Sequence, residues 1–85
     1  MKNKICLLGM KDIKNFLNII SDLDGKIELF NPKTNYRINA RSLLGLIMAS
    51  SEWSGETWIE SENDIYDKIE KYVVIGDEDG AYIHS

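Results

Sequence analysis

The side chains that most often act as nucleophiles or metal ligands are scarce in this chain of 85 residues, which holds one cysteine, Cys6, and one histidine, His84. A single cysteine forms no intramolecular disulfide and supplies too few thiolates for a cysteine-based zinc site. A Ser-His-Asp triad or a multi-histidine metal centre would have to depend on a residue beside the chain terminus, and termini are often poorly ordered. We therefore expect no enzyme activity, no metal ion and no cofactor.

Two groups of acidic residues could bind a cation. The first group consists of Glu60, Glu62, Asp64 and Asp67, and the second is the acidic run 77–79. Calcium-binding loops need ligands that are denser and supported by a turn. We expect both groups to be solvated instead.

Charge is distributed unevenly along the chain, whose formal net charge is −4. Residues 1–50 contain eight Lys and Arg against four Asp and Glu, whereas residues 51–85 contain two against ten. The net acidity argues against broad nucleic-acid binding, which relies on basic side chains. The basic first half could meet an acidic protein surface, because complementary charge speeds association. An unevenly charged, solvated surface is the simpler interpretation.

Length and hydropathy predict one small domain without a membrane segment. The longest apolar run, Leu43–Ala49, is far shorter than the roughly 20 residues that a membrane-spanning helix needs. The segment Met1–Leu8 has basic residues but too short an apolar stretch for a signal peptide. We expect a cytoplasmic protein with a domain over residues 1–75 and an acidic tail over residues 76–85.

Hydrophobic periodicity predicts the elements of the first half. The short apolar run Lys4–Leu8 is interpreted as a buried strand. Two alternating segments, 26–29 and 36–40, flank the turn residues 31–35 and predict a β-hairpin. Between the first strand and the hairpin a helix is expected, because apolar residues recur at helical spacing: Ile13, Phe16, Leu17 and Ile20.

A second helix is expected directly after the hairpin. Ser42 precedes Leu43, Leu46 and Ile47, which have helical spacing, and serine is a favourable N-cap because its hydroxyl accepts a hydrogen bond from a free backbone N–H. Gly45 weakens this helix unless it permits close packing.

A strand over Thr57–Glu60 and a third helix complete the predicted order. That helix is expected to begin with Ser61 or Asn63 as its cap and to bury a stripe formed by Ile65, Ile69, Tyr72 and Val73. The order β-α-β-β-α-β-α favours an α+β sandwich, with helices on one face of a four-stranded sheet. A polar turn over residues 76–80 and the segment 81–83 follow.

Three further residues carry predictions about burial. Trp58 lies in a strand and is expected in the core or half-buried, whereas Trp53 lies in the loop 51–55 and is expected to be more open. Aromatic residues also anchor interfaces, so either tryptophan could mark a binding face. Cys6 lies in an apolar strand and is expected to be buried and inert.

The segment Asn39–Leu46 reads Asn-Ala-Arg-Ser-Leu-Leu-Gly-Leu. It resembles the Asn-(Ala/Leu)-(Lys/Arg)-Ser-(Ile/Leu)-(Met/Leu)-Gly-(Val/Leu) stretch of the histidine-containing phosphocarrier protein (HPr) of the bacterial phosphotransferase system. The similarity in motif covers residues 25–62, and the order of elements is similar over nearly the whole chain. The resemblance implies an HPr-like open-faced β-sandwich, with a four-stranded antiparallel sheet and three helices on one face.

The resemblance implies two chemical positions, and the chain departs from the family at the first. HPr carries phosphate on a histidine just before its first helix, in a Gly-Leu-His-Ala-Arg-Pro pattern. Here the segment 8–12 occupies that region, with Gly9 at or beside the missing histidine and Lys11 near the arginine. Because phosphoryl transfer needs a nucleophilic side chain and glycine has none, we expect the carrier activity to be absent. The alternative is a phosphoryl carrier that uses a non-standard residue such as Asp12.

The second position is Ser42. It matches the serine that a dedicated kinase phosphorylates in many Gram-positive members of the family, after which the modified protein binds a transcription regulator. A phosphate at a helix N-terminus meets free N–H groups and the positive end of the helix dipole, and Arg41 adds a cation nearby. The alternative is that Ser42 only caps the helix.

The second helix has more apolar residues than one inward-facing stripe needs. Apolar residues of this helix contact protein partners in the family, so the candidate partner-binding residues here are Arg41, Leu43, Leu44, Ile47 and Met48. Leu44 and Met48 share one face, and we expect these two to be exposed, because an exposed apolar patch often marks an interaction site. The alternatives are that they cover the sheet or form a dimer contact, and the sequence leaves the oligomeric state open.

Together these features predict a non-catalytic, HPr-like regulatory protein of the phosphotransferase system that works by protein–protein contact. Its expected partners are a kinase or a transcription regulator, and not nucleic acid or a membrane. A structural or oligomerising module unrelated to sugar transport is a further alternative.

Overall fold

The structure is a computed structural model that describes residues 1–53, 55–76 and 82–83. Its elements in chain order are β1 (Lys2–Lys4), α1 (Gly9–Ser21), β2 (Ile27–Asn31), β3 (Tyr36–Asn39), α2 (Leu43–Glu52), β4 (Trp58–Ser61), α3 (Tyr66–Ile69), a 3-10 turn (Glu70–Tyr72), β5 (Ile75–Gly76) and β6 (Tyr82–Ile83). Nothing in the described part of the chain forms a helix with the length and apolar character needed to cross a bilayer.

The main sheet has the strand order β1-β4-β2-β3, and each strand is antiparallel to its neighbours. Glu60 of the inner strand β4 lies opposite Lys2 of β1 on one side and Glu28 of β2 on the other. The predicted β-hairpin is confirmed as β2 and β3. Three helices and a four-stranded antiparallel sheet confirm the predicted α+β fold.

The hydrophobic core lies on the inner face of the sheet, where the helices pack. Because side chains alternate between the two faces of a strand, Ile27 and Leu29 of β2 and Ile59 of β4 point to this inner face, and all three are buried. The predicted stripe of α1 is confirmed, with Ile13, Phe16 and Ile20 buried and Leu17 half-buried at its edge.

Gly45 allows α2 to approach the sheet closely. A Cβ atom at this position would lie 2.9 Å from Cδ1 of Ile38 on β3, which is closer than two carbon atoms approach without a shift. The loss of helix propensity at Gly45 is therefore offset by close packing of α2.

The first strand lies earlier in the chain than the sequence predicts. β1 ends at Lys4, Ile5 forms only an isolated bridge with Val73, and Leu8 is 75% exposed. The interpretation of Lys4–Leu8 as a buried strand is therefore wrong. The reason is that β4 pairs with residues 2–4, so that the last residues of the apolar run lie outside the sheet and lead into α1.

β4 and the third helix both begin later than predicted. β4 extends to Ser61 because this residue pairs with Ile27, so Ser61 belongs to the sheet. Neither Ser61 nor Asn63 caps the helix, which begins at Tyr66, whose N–H donates to Oδ1 of Asp64 at 3.0 Å. The residues of the predicted stripe are all buried, but they do not form one helical face. Ile69 lies in α3 and Ile65 precedes it, whereas Tyr72 lies in the 3-10 turn and Val73 is extended and bridges to Ile5.

The expectation that Trp53 is open is wrong, because this residue is 5% exposed and belongs to the core. α2 continues through Glu52 rather than ending before a loop at residue 51, and the N–H of Trp53 donates to the carbonyl of Ala49. Trp58 is half-buried as expected, whereas Cys6 is half-buried rather than buried. The acidic run 77–79 and His84 lie outside the described residues, and β5 pairs with β6 in a separate antiparallel ribbon that the sequence did not predict.

Gly25 occupies a position where a side chain would be both strained and crowded. Its φ angle is +87°, and a Cβ atom would lie 2.8 Å from Nδ2 of Asn63, whose amide donates to the carbonyl of Asp24 at 3.4 Å. We expect Gly25→Ala to lower the free energy of unfolding by about 1–3 kcal/mol from backbone strain, and by about 1 kcal/mol more because Asn63 must move.

Gly55→Ala is the matched control for this prediction. Its φ angle is +82°, but among the described residues other than its chain neighbours no atom lies within 4 Å of its Cβ position. Gly55→Ala therefore introduces backbone strain without crowding. Urea denaturation of both variants measures the difference. Equal losses of stability would contradict the packing of Asn63 against Gly25.

Candidate functional site

The N-terminus of α1 contains no side chain that could accept a phosphoryl group at the position expected from the resemblance. The residue immediately before the helix is Leu8, and Gly9, with a φ angle of +78°, is the first helical residue. Neither has a nucleophilic atom, and Lys11 is exposed in the first turn of the helix. The position that precedes α1 is thus filled by a solvent-exposed leucine.

Asp12 places a carboxylate at this helix terminus. Its Oδ2 accepts a hydrogen bond from the backbone N–H of Leu8 at 2.8 Å, and a negative charge here is favourable because of the helix dipole. This carboxylate therefore serves to cap α1. A second anion at the same terminus would be repelled by Asp12, since like charges a few ångström apart oppose each other.

Ser42 is the N-cap of α2, as the sequence predicts. Its backbone is extended, with φ −102° and ψ 117°, and its Oγ accepts a hydrogen bond from the N–H of Gly45 at 3.0 Å. The carbonyl of Ser42 accepts from the N–H of Leu46 at 2.9 Å, which starts the helical hydrogen-bond pattern. The hydroxyl is half-buried at the positive end of α2, where an added phosphate would meet the free N–H groups of the first turn.

Arg41 directs its hydrogen bonds to the end of α1 rather than to Ser42. Its Nε donates to the carbonyl of Ile20 at 3.2 Å, its Nη1 donates to the carbonyl of Gly25 at 3.0 Å, and its Nη2 donates to the carbonyl of Leu23. The sequence reasoning missed this arrangement. One feature of the sequence could have indicated it: the last turn of α1 contains no basic residue, so a cation from another element could stabilise this helix terminus.

The outer surface of α2 presents two large apolar side chains to solvent. Leu44 is 79% exposed and Leu43 is 40% exposed, whereas Ile47 and Met48 are half-buried and pack against the core. The expectation of exposure is confirmed for Leu44, but Met48 lies mostly inside because it also contributes to the core. The sequence did not predict the exposure of two further apolar residues, Leu8 and Met10, at the N-terminus of α1.

A shallow cavity of about 260 Å³ lies on the outer face of the sheet, lined by Lys26, Glu28, Arg37, Glu60, Ser61 and Glu62. Arg37 lies among the carboxylates of this cavity. Its Nε lies 3.0 Å from Oε1 of Glu28, and its Nη2 donates to Glu60. Its guanidinium also lies 4.9 Å from the centre of the Phe30 ring. Two cations and three carboxylates line this cavity, and both cations form ion pairs with carboxylates of the lining. The described residues contain no cluster of His, Cys, Asp and Glu arranged to hold a metal ion. We interpret the outer face as a structural network of ion pairs.

The ion pairs of the outer face lower the pKa values of two carboxyl groups. The hydrogen bond from Arg37 holds the pKa of Glu60 below its ordinary value, and the charge of Lys2 acts in the same direction. Partial burial works to raise the pKa of Glu56, but the hydrogen bond from Lys33 and the charge of Lys4 outweigh it, so that this pKa is also lowered. Both carboxylates therefore stabilise the folded state only while they are ionised.

A four-stranded antiparallel sheet of order β1-β4-β2-β3 with its helices on one face defines the protein as an α+β open-faced sandwich. No protein-family model matches the chain, and no curated protein matches it. Among solved structures, the chain is similar to the crystal structure of HPr-C-His from Thermoanaerobacter tengcongensis, with a TM-score of 0.54 and 18% identity over 82% of this chain and 81% of that chain. The chain therefore has an HPr-like fold.

The outer-face ion pairs predict a loss of stability in acid. A carboxyl group whose pKa is lower in the folded state contributes stability above its ordinary pKa, and this contribution is lost as the pH falls through the folded-state value. Arg37→Gln should return the pKa of Glu60 toward its ordinary value of 4.5, so the acid-side decline in stability should become shallower. Urea midpoints between neutral pH and about pH 2 measure this decline.

The control is Lys14→Gln, which removes the same charge from α1, where Lys14 is exposed and forms no salt bridge with any described residue. Its acid profile should keep the slope of the unmodified protein. If Arg37→Gln and Lys14→Gln change the profile equally, net charge rather than the Arg37–Glu60 pair determines acid stability.

Proposed function

We propose that this protein is a non-catalytic, HPr-like interaction protein that docks on protein partners through α2 and is regulated by phosphorylation of Ser42. The observation that carries the proposal is the exposure of Leu44, 79% of whose surface faces solvent in the first turns of α2. Leu43 is its exposed neighbour, and Ser42 precedes both. The docking surface, defined here as Leu43 and Leu44, thus lies directly beside the modification site.

Burial of these leucines is the energetic argument for docking. Transfer of a fully exposed leucine side chain out of water contributes about 1.5–3 kcal/mol, and here the contribution is available only on contact with another molecule. A helix that presents apolar side chains on its outside while its inner residues fill the core is suited to lie against a groove or a flat apolar surface of a partner.

The N-cap geometry supports phosphorylation at Ser42 without loss of the helix. Oγ already accepts a hydrogen bond from the N–H of Gly45, and a phosphoryl group on this oxygen would bring additional acceptors to the same N–H groups. The added negative charge would be placed at the positive end of the dipole of α2. A docking surface that adjoins this charge would distinguish partners according to the state of Ser42.

The N-terminus of α1 supports the non-catalytic part of the proposal. Leu8 and Gly9 offer no nucleophile, and the carboxylate of Asp12 already accepts the hydrogen bond from Leu8. A phosphoryl carrier that uses Asp12 would convert the capping carboxylate into an acyl phosphate, whose neutral carbonyl oxygen accepts this hydrogen bond more weakly. Docking without phosphoryl transfer is therefore the function that this geometry favours.

The kinase dedicated to HPr, supplied with ATP, tests docking and modification together. We expect it to add one phosphate to the protein and none to Ser42→Ala. Leu44→Ser should raise the KM for the protein substrate by about tenfold, because it removes the apolar side chain on which the kinase would dock. Initial rates at increasing protein concentration separate KM from kcat.

The matched control is Tyr36→Ser, which removes a similarly exposed side chain from β3 on the edge of the sheet. It should leave the KM unchanged. Absence of phosphate on the unmodified protein would contradict the regulatory role of Ser42, and an equal effect of Tyr36→Ser and Leu44→Ser would contradict the docking role of α2.

A further inference from the structure

The connection between α1 and β2 is held by one side chain that comes from the start of α2. We call this arrangement the Arg41 clasp, defined by the guanidinium of Arg41 and the carbonyls of Ile20, Leu23 and Gly25. The last carbonyls of a helix have no partner within the helix, and they are stabilised by a nearby cation. Since α1 has no basic residue in its last turn, Arg41 supplies this cation from another element.

The base of the Arg41 side chain is itself fixed. Asn39 accepts the backbone N–H of Arg41 on its Oδ1 at 2.9 Å and the backbone N–H of Ser42 on its carbonyl at 3.1 Å. Arg41 is thus held in a tight turn one residue before the N-cap of α2. A shift of this cap must move the base of the clasp with it.

The loop held by the clasp is also anchored on its other side. The N–H of Lys26 donates to Oε1 of Glu62 at 2.7 Å, and Nδ2 of Asn63 donates to the carbonyl of Asp24 at 3.4 Å. The loop 22–26 therefore lies between the start of α2 and the turn that follows β4. Removal of either anchor leaves the loop attached on one side only.

We propose that Arg41 is a positioning residue that couples the N-terminus of α2 to the C-terminus of α1. Through the clasp, a disturbance of the Ser42 cap reaches the loop 22–26, although Ser42 makes no hydrogen bond to that loop. The planar guanidinium is required for this role, because its donors span three carbonyls at once, whereas the ammonium of lysine is a single point of charge. The coupling needs neither a partner nor a phosphate.

Amide hydrogen exchange on the full chain tests the coupling. The reporters are the N–H of Leu23, which donates to the carbonyl of Ile20, and the N–H of Lys26. Arg41→Gln should speed their exchange by about tenfold or more, because charge-assisted hydrogen bonds that close the loop are lost. Arg41→Lys should give an intermediate rate.

A double-mutant cycle distinguishes coupling from simple loss of stability. Ser42→Ala should speed the exchange of Leu23 when Arg41 is present and should add nothing in the Arg41→Gln background. Arg37→Gln, which removes an arginine from the opposite face of the sheet, is the control and should leave Leu23 unchanged. If Arg41→Gln does not fold, the same cycle is run with Arg41→Lys, where a reduced effect of Ser42→Ala is expected.

Two results would overturn the inference: unchanged exchange of Leu23 and Lys26 in Arg41→Gln, or an effect of Ser42→Ala on Leu23 that is equal in both backgrounds. Because the experiment contains no kinase and no partner, its outcome is independent of the proposed docking function. Failure of phosphorylation at Ser42 would leave the coupling intact, and failure of the coupling would leave docking intact.

Discussion

Packing of the apolar stripe of α1 against the inner face of the sheet is the interaction on which the rest of the structure depends. Phe16 is completely buried and contacts the ring of Tyr72 edge-on, with the ring centres 5.5 Å apart, so that α1 is joined both to the sheet and to the segment after α3. Because this packing fixes α1 against the sheet, it also sets the positions of both ends of the helix relative to the sheet. The first presents Leu8 and Asp12 to solvent, and the second receives Arg41 from α2.

The two termini of α1 have different surroundings, and the proposed function rests on this difference. At the N-terminus, an exposed leucine and a capping carboxylate occupy the place where a phosphoryl group would need a nucleophile and free N–H groups. At the C-terminus, Arg41, the residue before the α2 cap, donates to the carbonyls of Ile20, Leu23 and Gly25. The docking role proposed for Leu43 and Leu44 therefore does not require a nucleophile at the N-terminus of α1.

Local sequence patterns predicted most of the fold. The features that they did not predict depend on contacts between residues far apart in the chain. The stripe of α1, the β-hairpin and the Ser42 cap follow from side-chain spacing and from hydrogen bonds within a few residues. The register of β1 depends instead on β4, which is more than 50 residues away, and the burial of Trp53 depends on how far α2 extends. The partners of Arg41 lie 16 to 21 residues before it, and no periodicity in the sequence relates them.

We propose that this protein keeps the scaffold of a phosphocarrier without the ability to accept phosphate from the carrier pathway. The most direct measurement is intact mass after incubation with phosphoenolpyruvate and the first enzyme of the phosphotransferase system, with an active HPr in a parallel reaction. We expect a phosphoryl adduct on the active HPr and none on this protein. An acid-labile phosphoryl adduct on this protein that passes to an acceptor would contradict the account.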